Sequence, residues 1–108
     1  MKRYNIREMV NGWMVGDFDP AILKTKNFEV GYHTYKKNAP TQNHYHKTST
    51  EINLVVKGDV EINGERFTSG DIFVLEPYMI SISKFYKDTE LVVIRDNSNP
   101  SDKYLVHE

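Results

Sequence analysis

The sequence predicts an all-β fold, a small antiparallel sandwich or barrel closed by tight turns. Three observations carry this. Short runs alternate apolar and polar residues with a period of two. Asn63-Gly64, the strongest short hairpin signal, lies between two such runs. Gly, Asn and Asp punctuate the chain between short strand-like stretches.

Taken in order, the first segment carries Tyr4, Ile6, Met9, Val10, Trp13, Met14 and Val15, more apolar surface than a free tail needs. Pro20-Ala21-Ile22-Leu23 is expected to form a helical turn, and little other helix is expected. "NFEVGYHTY" places Phe28, Val30, Tyr32 and Thr34 on one face of a strand and Gly31, His33 and Tyr35 on the other. "KKNAPTQN" is a loop marked by Pro40. "HYHK" restarts a short strand and "EINLVVKG" forms the next, ended by Gly58-Asp59. "DVEINGERF" reads as a hairpin, "TSGD" as a turn, and "IFVLEP", "MISISKF" and "ELVVIR" as further strands.

A chain of 108 residues suits a single domain, here taken as residues 1–108. Lys and Arg number 14 against 15 Asp and Glu, a formal net charge of -1. No basic excess points to nucleic acid or to an anionic membrane surface. The absence of cysteine excludes disulfides, thiolate ligands and cysteine nucleophiles, and fits a reducing compartment. No signal peptide or membrane span is read, so a cytoplasmic location is expected.

His44 and His46 stand two residues apart and project from one strand face. Glu51 follows across the short polar connection "KTST". Two imidazoles and a carboxylate suit zinc, iron, nickel or manganese. The same three groups can work without metal, one imidazole as a base and the carboxylate fixing its tautomer. The plain alternative is two surface histidines beside a solvated loop.

The wider pattern resembles the first motif of the cupin superfamily: two histidines around one residue, then four residues, a glutamate, six residues and a glycine. His44, His46, Glu51 and Gly58 match that spacing in full, while Asn38 stands at the place of the usual preceding glycine. The second motif is matched by Gly70, Asp71 and Pro77. Its usual glycine is Tyr78, its usual histidine ligand is Ser81, and its occasional asparagine is Phe85. "NFEVGYHTYKK", "TEINLVVKG", "GDIFVLEP" and "SDKYLV" are also similar to one group of small single-domain cupins.

The resemblance implies a cupin-type double-stranded β-helix, or jelly-roll barrel, with inward residues lining a central cavity. It implies three protein ligands to a divalent ion, His44, His46 and Glu51, with Ser81 removing the fourth. His33 is a candidate replacement if its face is the cavity face. Tyr35, Asn53, Ser81 and Ser83 are candidate pocket residues, and Asn53 reads equally as a buried amide satisfied within the protein. Tyr45 lies between the histidines and is expected on the outer face. Trp13, Phe18, Phe28, Phe67 and Phe73 are expected to fill core or interface. His107, one residue from the terminus, is expected to fray. Residues 1–20 resemble the dimer-forming N-terminal strands of many cupins, so a homodimer is expected there, with "ELVVIR" as a second candidate contact.

Three function classes follow. The first is a metal-binding small cupin acting on a small molecule. The second is a metal-free sugar-nucleotide isomerase or epimerase using His44 and His46 as acid and base. Against it stand the short chain, the lack of a Gly-rich phosphate cradle, and arginines (Arg3, Arg7, Arg66, Arg95) that fall at turns or ends. The third is a non-catalytic module that binds a small ligand.

Overall fold

The structure, a computed structural model, describes residues 1–106. The expectation for His107 lies outside the described residues.

Alternation becomes strand wherever one face can be buried. The larger sheet has the order β2-β1-β3-β10-β5-β8. Its members are β1 (Trp13–Gly16), β2 (Leu23–Lys24), β3 (Glu29–Tyr35), β5 (Glu51–Lys57), β8 (Ile72–Leu75) and β10 (Thr89–Arg95). Facing it are β6 (Asp59–Ile62), β7 (Glu65–Thr68) and β9 (Ser83–Phe85), in the order β7-β6-β9. A two-stranded piece, β4 (His44–Tyr45) with β11 (Tyr104–Leu105), joins that layer through a bridge between His44 and Ser81. The core fills the space between the layers. Val55, Phe73, Leu75, Leu91 and Val93 come from the larger sheet, and Val60, Ile62 and Phe85 from the smaller.

Turn chemistry sets the register. Asn63 and Gly64 both take positive φ, 50° and 85°, which a two-residue hairpin turn with strand-matched twist requires. Asn38 also lies in the left-handed region, at φ 62°, so asparagine does the work of the glycine it replaces.

The expected helical turn at Pro20–Leu23 is not formed. The Ile22 amide donates to the Met14 carbonyl at 2.7 Å, and Leu23 and Lys24 run parallel to Val15 and Gly16. The sheet edge satisfies backbone groups there that a single uncapped helical turn would leave unpaired. The helical turn lies instead at Ile6–Glu8, a 3-10 turn capped by Asn5. Asn5 Oδ1 accepts from the Arg7 amide, and Glu8 Oε2 accepts from the Asn5 amide. "MISISKF" is strand only over Ser83–Phe85. β11, with no counterpart among the expected strands, pairs with the histidine strand 59 or more residues upstream.

No helix among the described residues is long and apolar enough to cross a membrane.

Candidate active site

Strand parity builds the cavity. On β3, Glu29, His33 and Tyr35 point inward; on β5, Glu51 and Asn53; on β10, Leu91, Val93 and Arg95. The opposite layer supplies His44, Ser81 and Ser83. With Trp13, Phe18 and Lys103 they line one cavity of about 360 Å³, within the size range of small-ligand sites. All five expected pocket residues, His33, Tyr35, Asn53, Ser81 and Ser83, lie on its wall. Ser81 sits directly beside His44, its amide donating to the His44 carbonyl at 2.8 Å. Tyr45 points outward, as alternation requires, and stacks on Tyr104 and Tyr78.

The three motif residues are not equivalent. His44 and Glu51 reach the cavity wall, whereas His46 is buried behind them. His46 Nδ1 donates to the backbone carbonyl of Asp102. A carbonyl oxygen only accepts, so Nδ1 carries a hydrogen. His46 Nε2 then lies 3.1 Å from Glu51 Oε2. That contact is close but poorly directed, and among the described residues Nε2 has no hydrogen-bond partner. A lone pair facing a carboxylate oxygen at this distance is repulsive, so the contact calls for a positive charge on Nε2.

Glu51 is held from three sides. Arg95 Nε donates to Oε2 at 3.0 Å, and Asn53 Nδ2 donates to Oε1 at 3.1 Å. Arg95 Nη1 reaches across to Glu29 Oε1 at 2.7 Å, and Ser98 Oγ donates to Glu29 Oε2 at 2.9 Å. Burial opposes ionisation of Glu51, but the His46 contact and the Arg95 charge outweigh it and hold the carboxyl down to about 2. Two buried carboxylates against one guanidinium leave one negative charge uncompensated. A cation at His46 Nε2 balances it.

His44 differs. Its Nδ1 lies 3.0 Å from the Gln42 carbonyl, so Nδ1 carries the hydrogen and Nε2 is left as an acceptor. Burial pushes its pKa down, opposed by the Gln42 bond and assisted by the charge of Lys103. Burial also lowers His33, whose ring packs edge-on against Trp13 at 4.6 Å. Tyr35 is raised by burial, so its hydroxyl stays a donor. The cavity thus offers a neutral imidazole, a phenol and a fixed charge cluster.

Donor types match the metal expectation, and anchoring each Nδ1 on a carbonyl is the usual support for an imidazole ligand. The arrangement does not match it. Among the described residues no three His, Asp or Glu side chains gather closely enough to hold an ion. Arg95 and Asn53 already engage both oxygens of Glu51. As placed, Glu51 is already engaged by protein donors and the three groups do not close around one ion.

Glu29, Arg95, Ser98, Asp102 and Lys103 were not anticipated. The sequence reading puts Arg95 at a turn or end; its side chain is 11% exposed and central to the cluster. Parity carried the signal for two of them. Glu29 shares a face with His33 and Tyr35, and Arg95 with Leu91 and Val93. Asp102 had no local signal, since its partners Lys47, Thr48 and Ser49 lie more than fifty residues away.

No protein-family model and no curated protein matches the chain. Solved structures do. An uncharacterised protein with a double-stranded β-helix domain from Klebsiella pneumoniae is 16% identical, with a TM-score of 0.73, over 99% of this chain and 93% of that one. KdgF from Halomonas is 22% identical, with a TM-score of 0.62, over 70% and 75%. Pac13, a nucleoside dehydratase with variants from Streptomyces solved with uridine, is 17% identical, with a TM-score of 0.64, over 77% and 71%. These likenesses, together with two sheets enclosing a cavity that has His44 and Glu51 upon its wall, give the chain the cupin-type double-stranded β-helix fold.

Proposed function

We propose that this protein is a small-molecule enzyme in which His44 removes a proton from a polar substrate held in the cavity. The observation that carries it is the Nδ1 anchor of His44, which leaves a neutral Nε2 as base in a half-enclosed pocket. Tyr35 supplies a hydroxyl that can protonate a departing or carbonyl oxygen. Glu51, Arg95 and His46 form a fixed charge cluster that orients the substrate without reorganising. Among the similar folds, one is named a nucleoside dehydratase and another, DddQ from Ruegeria pomeroyi (11% identical, TM-score 0.71), a DMSP lyase. Both names describe eliminations, a class that needs a base. A cytoplasmic setting accompanies this reading, since nothing in it requires an oxidising compartment.

The test is metal-free. Nucleosides, sugars and small hydroxy- and oxo-carboxylates are screened by thermal shift, and each stabilising compound is incubated in D2O. The expected result is deuterium incorporation or elimination that His44→Gln abolishes while the thermal shift persists. Stabilisation with turnover indifferent to His44 would return the site to a non-catalytic binding module.

A second reading is favoured by the unpartnered His46 Nε2. In it His44, His46 and Glu51, drawn closer than they stand here, would hold a divalent ion (zinc, nickel, iron or manganese), which would supply the missing positive charge and Lewis acidity. Calorimetry decides. Saturable binding below about millimolar concentration, lost in His46→Ala, establishes this reading; no such binding removes it.

A further inference from the structure

The cavity opens past a single cation. An outer recess adjoins it, walled on one side by residues 40–42 of the loop before β4. Tyr35, His44, Ser83, Phe85 and Lys103 line both the cavity and the recess. The imidazole and the phenol assigned to proton transfer therefore stand at the passage between the two, beside the Lys103 ammonium.

Lys103 is held at that passage by its neighbours in the chain. Asp102, on one side, is buried and accepts from the Lys47 and Thr48 amides. Tyr104, on the other, pairs with Tyr45 and stacks on its ring at the outer face. Alternation along this segment turns Lys103 the opposite way, toward the cavity. It is the one charged side chain on the recess wall among the described residues. No carboxylate among the described residues lies within ion-pair distance of it. The deeper charges are already committed. Glu51 and Glu29 each have both oxygens engaged, by Asn53, Arg95 and Ser98. An ammonium without a counter-charge at the rim of a concave site concentrates positive potential there, and draws an anion.

The number of cations limits the anion. Phosphate carries up to two charges and is taken by several converging donors, from a helix N-terminus, a glycine-rich turn or an arginine fork. The recess offers one lysine and none of these, which suits the single charge of a carboxylate. Farther in, the Ser81 and Ser83 hydroxyls face only one another, 3.4 Å apart. So long a contact leaves both open to a ligand hydroxyl.

We propose that the substrate is a small hydroxycarboxylate, bound with its carboxylate on Lys103 at the mouth and its hydroxyls toward Ser81 and Ser83. This rests on the reading of His44 as the base, and it names the compounds that base would meet. A chain anchored at Lys103 presents the carbons next to its carboxylate to the passage that His44 and Tyr35 line.

Calorimetry on the metal-free full chain tests it with matched probes: gluconate against glucitol, 3-hydroxybutyrate against 1,3-butanediol, lactate against 1,2-propanediol. At least one carboxylate is expected to bind saturably, at least about tenfold more tightly than its uncharged counterpart. Lys103→Gln, at an exposed position, is expected to erase that margin with an unchanged circular dichroism spectrum, and Lys103→Arg to keep most of it. Lys47→Gln removes an equal charge from the outer face, where the ammonium lies 4.2 Å from the centre of the Tyr104 ring. It is expected to change affinity by less than about twofold. Three results would overturn the proposal: no carboxylate of the set binding below about 10 mM, carboxylate binding indifferent to Lys103→Gln, or glucose 6-phosphate binding more tightly than every carboxylate. The His44 reading fails separately. Lys103-dependent binding with no deuterium exchange in D2O supports the proposal and removes the base. Turnover that depends on His44, of uncharged compounds that outbind the carboxylates, overturns the proposal and leaves the base standing.

Discussion

Arg95 is the residue on which the buried charges depend. It spans Glu51 and Glu29 with two donors of one guanidinium, at 3.0 and 2.7 Å. Lysine carries the same charge as a single point and cannot hold two carboxylates in fixed directions. Arg95→Met leaves both carboxylates buried and uncompensated, so it is expected to cost about 3–5 kcal/mol. Arg95→Lys should fall between that variant and the wild type. Urea unfolding followed by circular dichroism measures both. Equal stability of Arg95→Met and wild type would show that the cluster is no ion pair in solution. The histidines and Glu51 were legible because their spacing is local, within eight residues. Arg95 and Glu29 were visible only as parity, and parity names a face without saying that the face is a cavity. Asp102 was invisible, because its role is set by a chain crossing.

At the scale of elements, turn glycines separate backbone need from steric need. Gly64 sits in the β6–β7 turn at φ 85°, and a Cβ there meets nothing within 4 Å. Gly58 joins β5 to β6 at φ 123°, and a Cβ there would lie 2.3 Å from Thr89 Oγ1 and 2.6 Å from Thr89 Cα. Thr89 cannot retreat, since it is buried and its hydroxyl is bonded to the Lys87 carbonyl and the Asp59 amide. Gly64→Ala is therefore expected to cost about 1 kcal/mol, the backbone cost alone. Gly58→Ala adds overpacking to strain and is expected to cost about 3 kcal/mol or more. Thermal melts of the two variants make the comparison; a Gly64→Ala loss equal to that of Gly58→Ala would contradict it. The sequence marked both turns alike, since it reveals where a chain reverses but not what packs under the reversal. The same limit explains Pro20–Leu23, where the partner that makes β2 a strand is β1.

At the scale of the whole molecule, two depressed carboxyls tie distant parts of the chain together and fix how it responds to acid. Asp102 accepts from the Lys47 amide at 2.8 Å, the Thr48 amide at 3.1 Å, the Thr48 hydroxyl at 2.7 Å and the Ser49 hydroxyl at 3.2 Å. Burial works against its charge, but these donors prevail and hold it down to about 2, where Glu51 also lies. Both folded values are below those of an unfolded chain, about 3.9 for Asp and 4.3 for Glu. Their contribution is therefore complete above about pH 5 and is lost as the pH falls through 4 toward 2. Together they supply on the order of 5 kcal/mol at neutral pH. Losing them frees the C-terminal segment from the histidine loop and His46 from its carboxylate in one range of pH. Unfolding free energy measured by denaturant from pH 7 to pH 2 is expected to fall along that limb with a slope approaching two protons. Asp102→Asn removes one of them, so its curve should start lower at pH 7 and fall less steeply, by about one proton. A variant curve parallel to the wild type over the whole limb would mean that Asp102 is not held in its charged form by the loop it caps.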